Sequence, residues 1–143
     1  MSFKTPVLWA MLDPNGHLRH SVYADLAAQA RVYELNRMGI DQAVFQHYKM
    51  GPILFREESI YLREVKMNDV LTTTVKLSKA RKDGSRFSFM HEVFRSDGVN
   101  AAIINIDGAW LDLEKRKLMI PPPEFQEKML LVKRTEDYEE TAG

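Results

Sequence analysis

Hydrophobic positions along the chain change period twice. Val7, Leu8, Trp9 and Met11 form a short apolar segment suited to a strand, and Asp13-Pro14-Asn15-Gly16 breaks it. Proline presets the second position of a type I turn and glycine suits the fourth, so that turn is expected here. Over 21–38 the spacing becomes helical. Val22, Leu26, Ala30 and Tyr33 recur every three or four residues, with Ser21 placed as N-cap and Gly39 as the C-terminal stop. Tyr23, Ala27, Val32, Leu35 and Met38 spread apolar surface around much of the remainder, and four alanines between 24 and 30 keep the helix slim. A helix apolar around most of its circumference is enclosed by other structure. Small side chains let a curved sheet wrap it closely.

After Pro52 the period drops to that of strands. Residues 53–55, 59–65, 70–77, 86–94 and 100–113 are β-rich runs. Asn68-Asp69, Lys82-Asp83-Gly84-Ser85 and Ser96-Asp97-Gly98 separate them, the last two as antiparallel hairpin connections. Phe87, Phe89, His91 and Val93 alternate with Ser88, Met90 and Glu92. Pro121-Pro122-Pro123 ends the sheet, 124–132 suits a short helix, and the acidic end after Thr135 is expected to fray. The order is strand, turn, one long buried helix, then four or five antiparallel strands. This is an α+β arrangement in which a five- to six-stranded sheet covers one helix. We read one domain over 1–143, with its core at about 5–123 and a C-terminal tail over 124–143.

Composition narrows the partners. The 143 residues are 45% hydrophobic and 28% charged, with 20 basic side chains against 20 acidic. A zero formal charge offers no long-range attraction to nucleic acid or an anionic membrane. The absence of cysteine removes disulfides, thiolate zinc sites and a cysteine nucleophile together. No apolar run approaches the roughly 20 residues of a membrane span, and the N-terminus lacks a signal-peptide core. The expectation is a cytoplasmic protein with no metal and no resident cofactor.

Asp13 lies between a hydrophobic segment and the start of the long helix. Unpaired N–H groups and partial positive charge at a helix start suit a developing oxyanion. A carboxylate just upstream can attack a carbonyl polarised by those groups, or activate water to do so. The donors expected for this are the amides near His20 and Ser21. A local reading stands beside this one: Asp13 hydrogen-bonds its own Pro-Asn-Gly turn. His17 and His20 flank the turn as acid–base groups, as contacts to a substrate carbonyl, or as loop surface. Lys79, Arg81, Lys82 and Arg86 cluster around one hairpin, either to meet nucleotide phosphates or as a solvated tip. His91, on its alternating strand, is expected as a satisfied core or interface histidine. There is no Gly-x-Ser-x-Gly elbow, phosphate loop or dinucleotide fingerprint.

Leu12-Asp13-Pro14-Asn15-Gly16-His17, followed by Tyr23 and Ala30-Arg31, resembles the opening motif of the 4-hydroxybenzoyl-CoA thioesterase branch of the hot-dog superfamily. Ile60-Tyr61-Leu62-Arg63-Glu64, Asn68-Asp69-Val70-Leu71 and Trp110-Leu111-Asp112-Leu113 are similar to later family segments, in the same order. The resemblance implies a hot-dog fold, with one long central helix wrapped by a curved antiparallel sheet. It implies hydrolysis of an acyl-CoA thioester, with coenzyme A entering only as part of the substrate. It implies a homodimer, or a tetramer, with sheets joined edge to edge and sites at the interface.

By the same resemblance, Asp13 is the nucleophile or general base and the His20 backbone N–H polarises the thioester carbonyl. Gly16, His17 and Tyr23 fall at the substrate, and Lys79, Arg81, Lys82 and Arg86 at coenzyme A. The chain departs from the family at Met11, at His20-Ser21-Val22, and at Ala28 and Gln29, where relatives often carry an acid in the helix. An acyl-ACP thioesterase and a non-catalytic acyl-binding protein are the alternatives. The hydrolase reading requires a cavity between Asp13 and the helix-start amides.

Overall fold

A computed structural model describes residues 2–142. The chain begins with β1 (Phe3–Pro6), makes a single 3-10 turn at Trp9–Met11 and enters α1 (His20–Arg37). Then follow α2 (Gln42–Tyr48), β2 (Met50–Tyr61), β3 (Val70–Thr73), β4 (Lys76–Arg81), β5 (Arg86–Phe94), β6 (Asn100–Asp112), β7 (Lys117–Leu118), α3 (Pro123–Met129) and β8 (Arg134–Thr141).

Expected and observed elements differ at both ends of the chain. The strand expected over Val7 to Met11 is the 3-10 turn, and the first strand comes earlier, at β1. The chain must leave the sheet edge here to reach the start of α1, and the Met11 carbonyl accepts from Arg19 N–H at 2.7 Å. The fraying expected after Thr135 is β8, which pairs in parallel with β4. Glu139 stands opposite Lys79, and Tyr138 packs against the core, which ties an acidic segment to the sheet. Among the described residues the sheet therefore has eight strands rather than five or six. α2, too short to show a helical period, escaped the sequence reading.

β6 is the spine of the sheet. It pairs antiparallel with β5 on one side and with β2 on the other, while β3 and β4 share the far side of β5. The expected inward set Phe87, Phe89, His91 and Val93 is buried, alternating with half-buried Ser88, Met90 and Glu92. A bulge at Phe55 shifts the β2–β6 register. Beyond it, Glu57, Ser59 and Tyr61 lie opposite Ile106, Ile104 and Ala102, which places them on the face toward α1. The outer edge of β2 has no strand partner among the described residues.

α1 lies against this curled sheet through Val22, Tyr23, Leu26, Ala27 and Ala30. Its opposite face is open: Asp25, Ala28, Gln29 and Asn36 are exposed, and Val32 is 49% exposed. Enclosure is thus one-sided in the single chain. Ser21 is not the N-cap. The helix starts at His20, Arg19 takes the cap position, and Ser21 Oγ accepts from Arg19 Nε at 2.8 Å. Phe125, Met129 and Val132 extend the core toward β8. Among the described residues, no helix is long and apolar enough to cross a membrane.

Candidate active site

The Asp13 turn is held from both flanks. Leu12 and Leu18 bridge across it, and Gly16 N–H donates to the Asp13 carbonyl at 3.0 Å, closing the four-residue turn. Gly16 has φ +79° with nothing within 4 Å of an added Cβ, so the backbone conformation alone asks for glycine. Leu18 N–H donates to Val65 at 2.7 Å and His17 bridges to Lys66, which docks the turn onto the chain just past β2.

Asp13 Oδ1 accepts from the backbone N–H of Asn15 at 2.9 Å and of His17 at 3.0 Å. The local role is therefore real, and it fixes the carboxylate through one oxygen. Oδ2 has no hydrogen-bond partner among the described residues. At the start of α1, Val22 N–H reaches the Arg19 carbonyl at 3.0 Å, while the amides of His20 and Ser21 have no acceptor among the described residues. Arg19 locks the approach by donating to the Ala10 carbonyl at 2.8 Å.

The other residues expected at the site fall into two groups. His17 stays with the turn, its Nε2 2.9 Å from Glu64 Oε2. Tyr23 is buried, with its ring 5.2 Å from that of Tyr61 and edge-on to it. Burial raises the Tyr23 phenol above its usual range, and the charges of Tyr61 and Asp13 add to this. Tyr61, 52% exposed, points its hydroxyl at the His20 carbonyl at 3.4 Å. Glu64 and Tyr61 were missed as site residues. Both lie in the Tyr-x-Arg-Glu stretch, but their partners are set by chain folding, not by spacing.

The basic hairpin is elsewhere. Arg86 opens β5, whereas Arg95, just beyond its other end, donates to the Glu64 carbonyl at 3.1 Å beside the turn. Eight strand steps separate the two ends of β5, roughly 26 Å. Lys79 Nζ lies 4.0 Å from Glu139, Lys82 N–H donates to the Thr141 carbonyl, and the Arg86 guanidinium sits 5.1 Å from the Phe55 ring centroid. The single chain does not bring Lys79, Arg81, Lys82 and Arg86 to Asp13. Nor does Asp13 line any of the five cavities described for the chain. Pro14, Asn15 and Gly16 are exposed, so this end of the molecule lacks a second wall.

The family model of the thioesterase-like superfamily matches residues 7–129. The chain belongs to that superfamily. Protein SAV2348 from Staphylococcus aureus, solved in complex with CoA, superposes with a TM-score of 0.86 at 16% identity, covering 96% of this chain and 88% of its own. The DHNA-CoA thioesterase of Staphylococcus aureus gives 0.82 at 15% identity, covering 90% and 87%. Slr0204, a 1,4-dihydroxy-2-naphthoyl-CoA thioesterase from Synechocystis, gives 0.80 at 14% identity, covering 91% and 95%. At such identities the likeness is one of fold, and the fold is the hot-dog. No curated protein matches the sequence.

Proposed function

We propose that this superfamily member hydrolyses an acyl-CoA thioester to a carboxylate and free coenzyme A at Asp13. The observation that carries the reading is the pairing of a carboxylate pinned through Oδ1, with Oδ2 free, and two unengaged amides at the start of α1. Oδ2 either attacks the carbonyl carbon or takes a proton from the water that does. The His20 and Ser21 amides stabilise the oxyanion of the tetrahedral intermediate. Collapse expels the coenzyme A thiolate, which leaves as the thiol once protonated. In the nucleophilic route, water then cleaves the acyl–Asp13 anhydride. Gly16 lets the turn close, and His17, steadied by Glu64, lies beside the acyl carbonyl.

The missing wall is supplied by a second copy of the chain. β2 offers 12 residues of unpaired strand edge with Leu54, Phe55, Ile60 and Tyr61 exposed along it, and such an edge is normally paired or covered. Edge-to-edge pairing of two β2 strands forms the homodimer, with a tetramer of such dimers as the alternative assembly. In that assembly the partner's basic hairpin supplies the coenzyme A contacts of Lys79, Arg81, Lys82 and Arg86.

A non-catalytic acyl-binding role is the second reading. It is favoured by Ala28 and Gln29, which leave the middle of α1 without an acid, and by the local bonds that already occupy Asp13 Oδ1. Thiol release from short, long and aromatic acyl-CoAs decides between them. Hydrolysis of at least one, reduced by about 10²-fold or more in a folded Asp13→Asn variant, is the expected result. Unchanged activity in the variant rejects the site, and binding without hydrolysis of any substrate supports the second reading.

A further inference from the structure

Beneath the open face of α1 lies an apolar cavity of about 340 Å³, walled by Ala28 and Val32 of the helix, Leu54 of β2, Phe89 of β5 and Trp110 of β6. It falls in the size range of small-molecule sites. One strong charge lines it, the guanidinium of Arg31. Arg31 lies eleven residues into α1 from His20, about 16 Å along the axis. The cavity is thus well removed from the Asp13 turn of the same chain.

Arg31 has no carboxylate in direct contact among the described residues. Its Nη1 donates to His91 Nε2 at 3.0 Å, and His91 Nδ1 donates to the Thr74 carbonyl at 3.0 Å. With its proton on Nδ1, the fully buried imidazole is neutral and serves only as an acceptor. Glu57, on the inner face of β2, favours the charged guanidinium from a distance, yet Arg31 forms no ion pair among the described residues. Burial works the other way and lowers the Arg31 pKa. A guanidinium has five N–H donors in a planar fork matched to a carboxylate, and a cation in an apolar wall is costly unless paired.

We propose that this cavity binds an organic carboxylate with an apolar body, the carboxylate pairing with Arg31 and the body packing on Phe89 and Trp110. The ligand is either the far end of an ω-carboxyacyl group, which rests on the hydrolase reading, or a free acid, which does not. Both share the same chemistry at Arg31.

Trp110 reports on the cavity, and the chain has one other tryptophan, exposed Trp9. In a Trp9→Phe background, titration with decanoate below its micelle concentration should change Trp110 fluorescence and saturate. Decanol should bind at least tenfold more weakly, the scale of a hydrogen bond to a charged group. Arg31→Met should erase that preference and Arg31→Lys restore part of it. Because Arg31→Met strips His91 of its donor, Ala28→Phe gives a second test: it fills the cavity from the exposed face and should abolish decanoate binding while cooperative unfolding persists.

Equal binding of acid and alcohol, a preference that survives Arg31→Met, or decanoate binding that survives Ala28→Phe overturns the proposal. So does no binding of either ligand, the result if a second copy of the chain fills the cavity. Sebacoyl-CoA and decanoyl-CoA then separate the two sources. A ratio of their kcat/KM values that falls at least tenfold in Arg31→Met identifies the acyl end, and an unchanged ratio identifies a free acid. Decanoate binding without any thiol release leaves the cavity standing and removes only the hydrolase reading.

Discussion

His91 owes its chemistry to where the fold puts it. Burial depresses its pKa to about 3, and the charge of Arg31 pushes the same way, against the bond to Thr74. In the unfolded chain it titrates near its ordinary value of 6.5. Between these limits the unfolded state holds the extra proton, so stability present above pH 6.5 is lost as pH falls toward 3. The slope from this one group is at most about 1.4 kcal/mol per pH unit. Urea midpoints of wild type and His91→Gln, followed from pH 7 to pH 4, should converge as the pH falls. A constant difference would show that His91 does not titrate on unfolding. The alternation along β5 was enough to mark His91 as an interior residue, but its pairing with Arg31, sixty positions earlier, was not readable. Asp13 shows the same division. Its turn was legible from four residues, and its carboxylate bonds followed from turn chemistry, while Tyr61 at the end of β2 and Glu64 just beyond it come from a later stretch of chain.

At the scale of elements, the sheet bends where β2 bulges at Phe55 and β6 presents Gly108 opposite Leu54. A Cβ on Gly108 would stand 2.7 Å from the Ile53 carbonyl oxygen and 2.9 Å from the Phe87 ring. Its φ is not in the left-handed region, so the demand for glycine is one of space. Gly108→Ala should destabilise the chain by about 1–3 kcal/mol, as overpacking does, and thermal melts would measure it. A neutral result would mean that Phe87 and β2 yield without cost. Strand positions such as β5 were readable because one face is buried and period 2 survives. β8 was not, because its acidic composition suggests solvent, whereas its ladder with β4 and the packing of Tyr138 against the core arise only when the chain folds. The bulge at Phe55 left no mark either, since 53–55 and 59–65 read as two strands where the chain forms one.

For the whole molecule, three features are unfinished in the single chain: the open face of α1, the edge of β2 that has no strand partner among the described residues, and an exposed Asp13 turn. The dimer proposed through β2 would cover the strand edge and give the Asp13 turn its second wall. Wild-type protein should elute as a dimer or tetramer, and Phe55→Lys with Ile60→Lys should give a folded monomer with reduced thiol release. A monomeric wild type would leave the Asp13 site without its second wall and favour the acyl-binding reading.

Periodicity and turn chemistry in the sequence determined one long helix, an antiparallel sheet, the Asp13 turn and the inward face of β5, because these depend on residues within a few positions of each other. Its family motifs pointed to the hot-dog thioesterases. Tertiary structure alone decided the eighth strand, the one-sided burial of α1, the distance between the basic hairpin and Asp13, and the meeting of Arg31 with His91 at the cavity. Each of these is set by segments brought together from far apart in the chain, where neither spacing nor local propensity carries a signal.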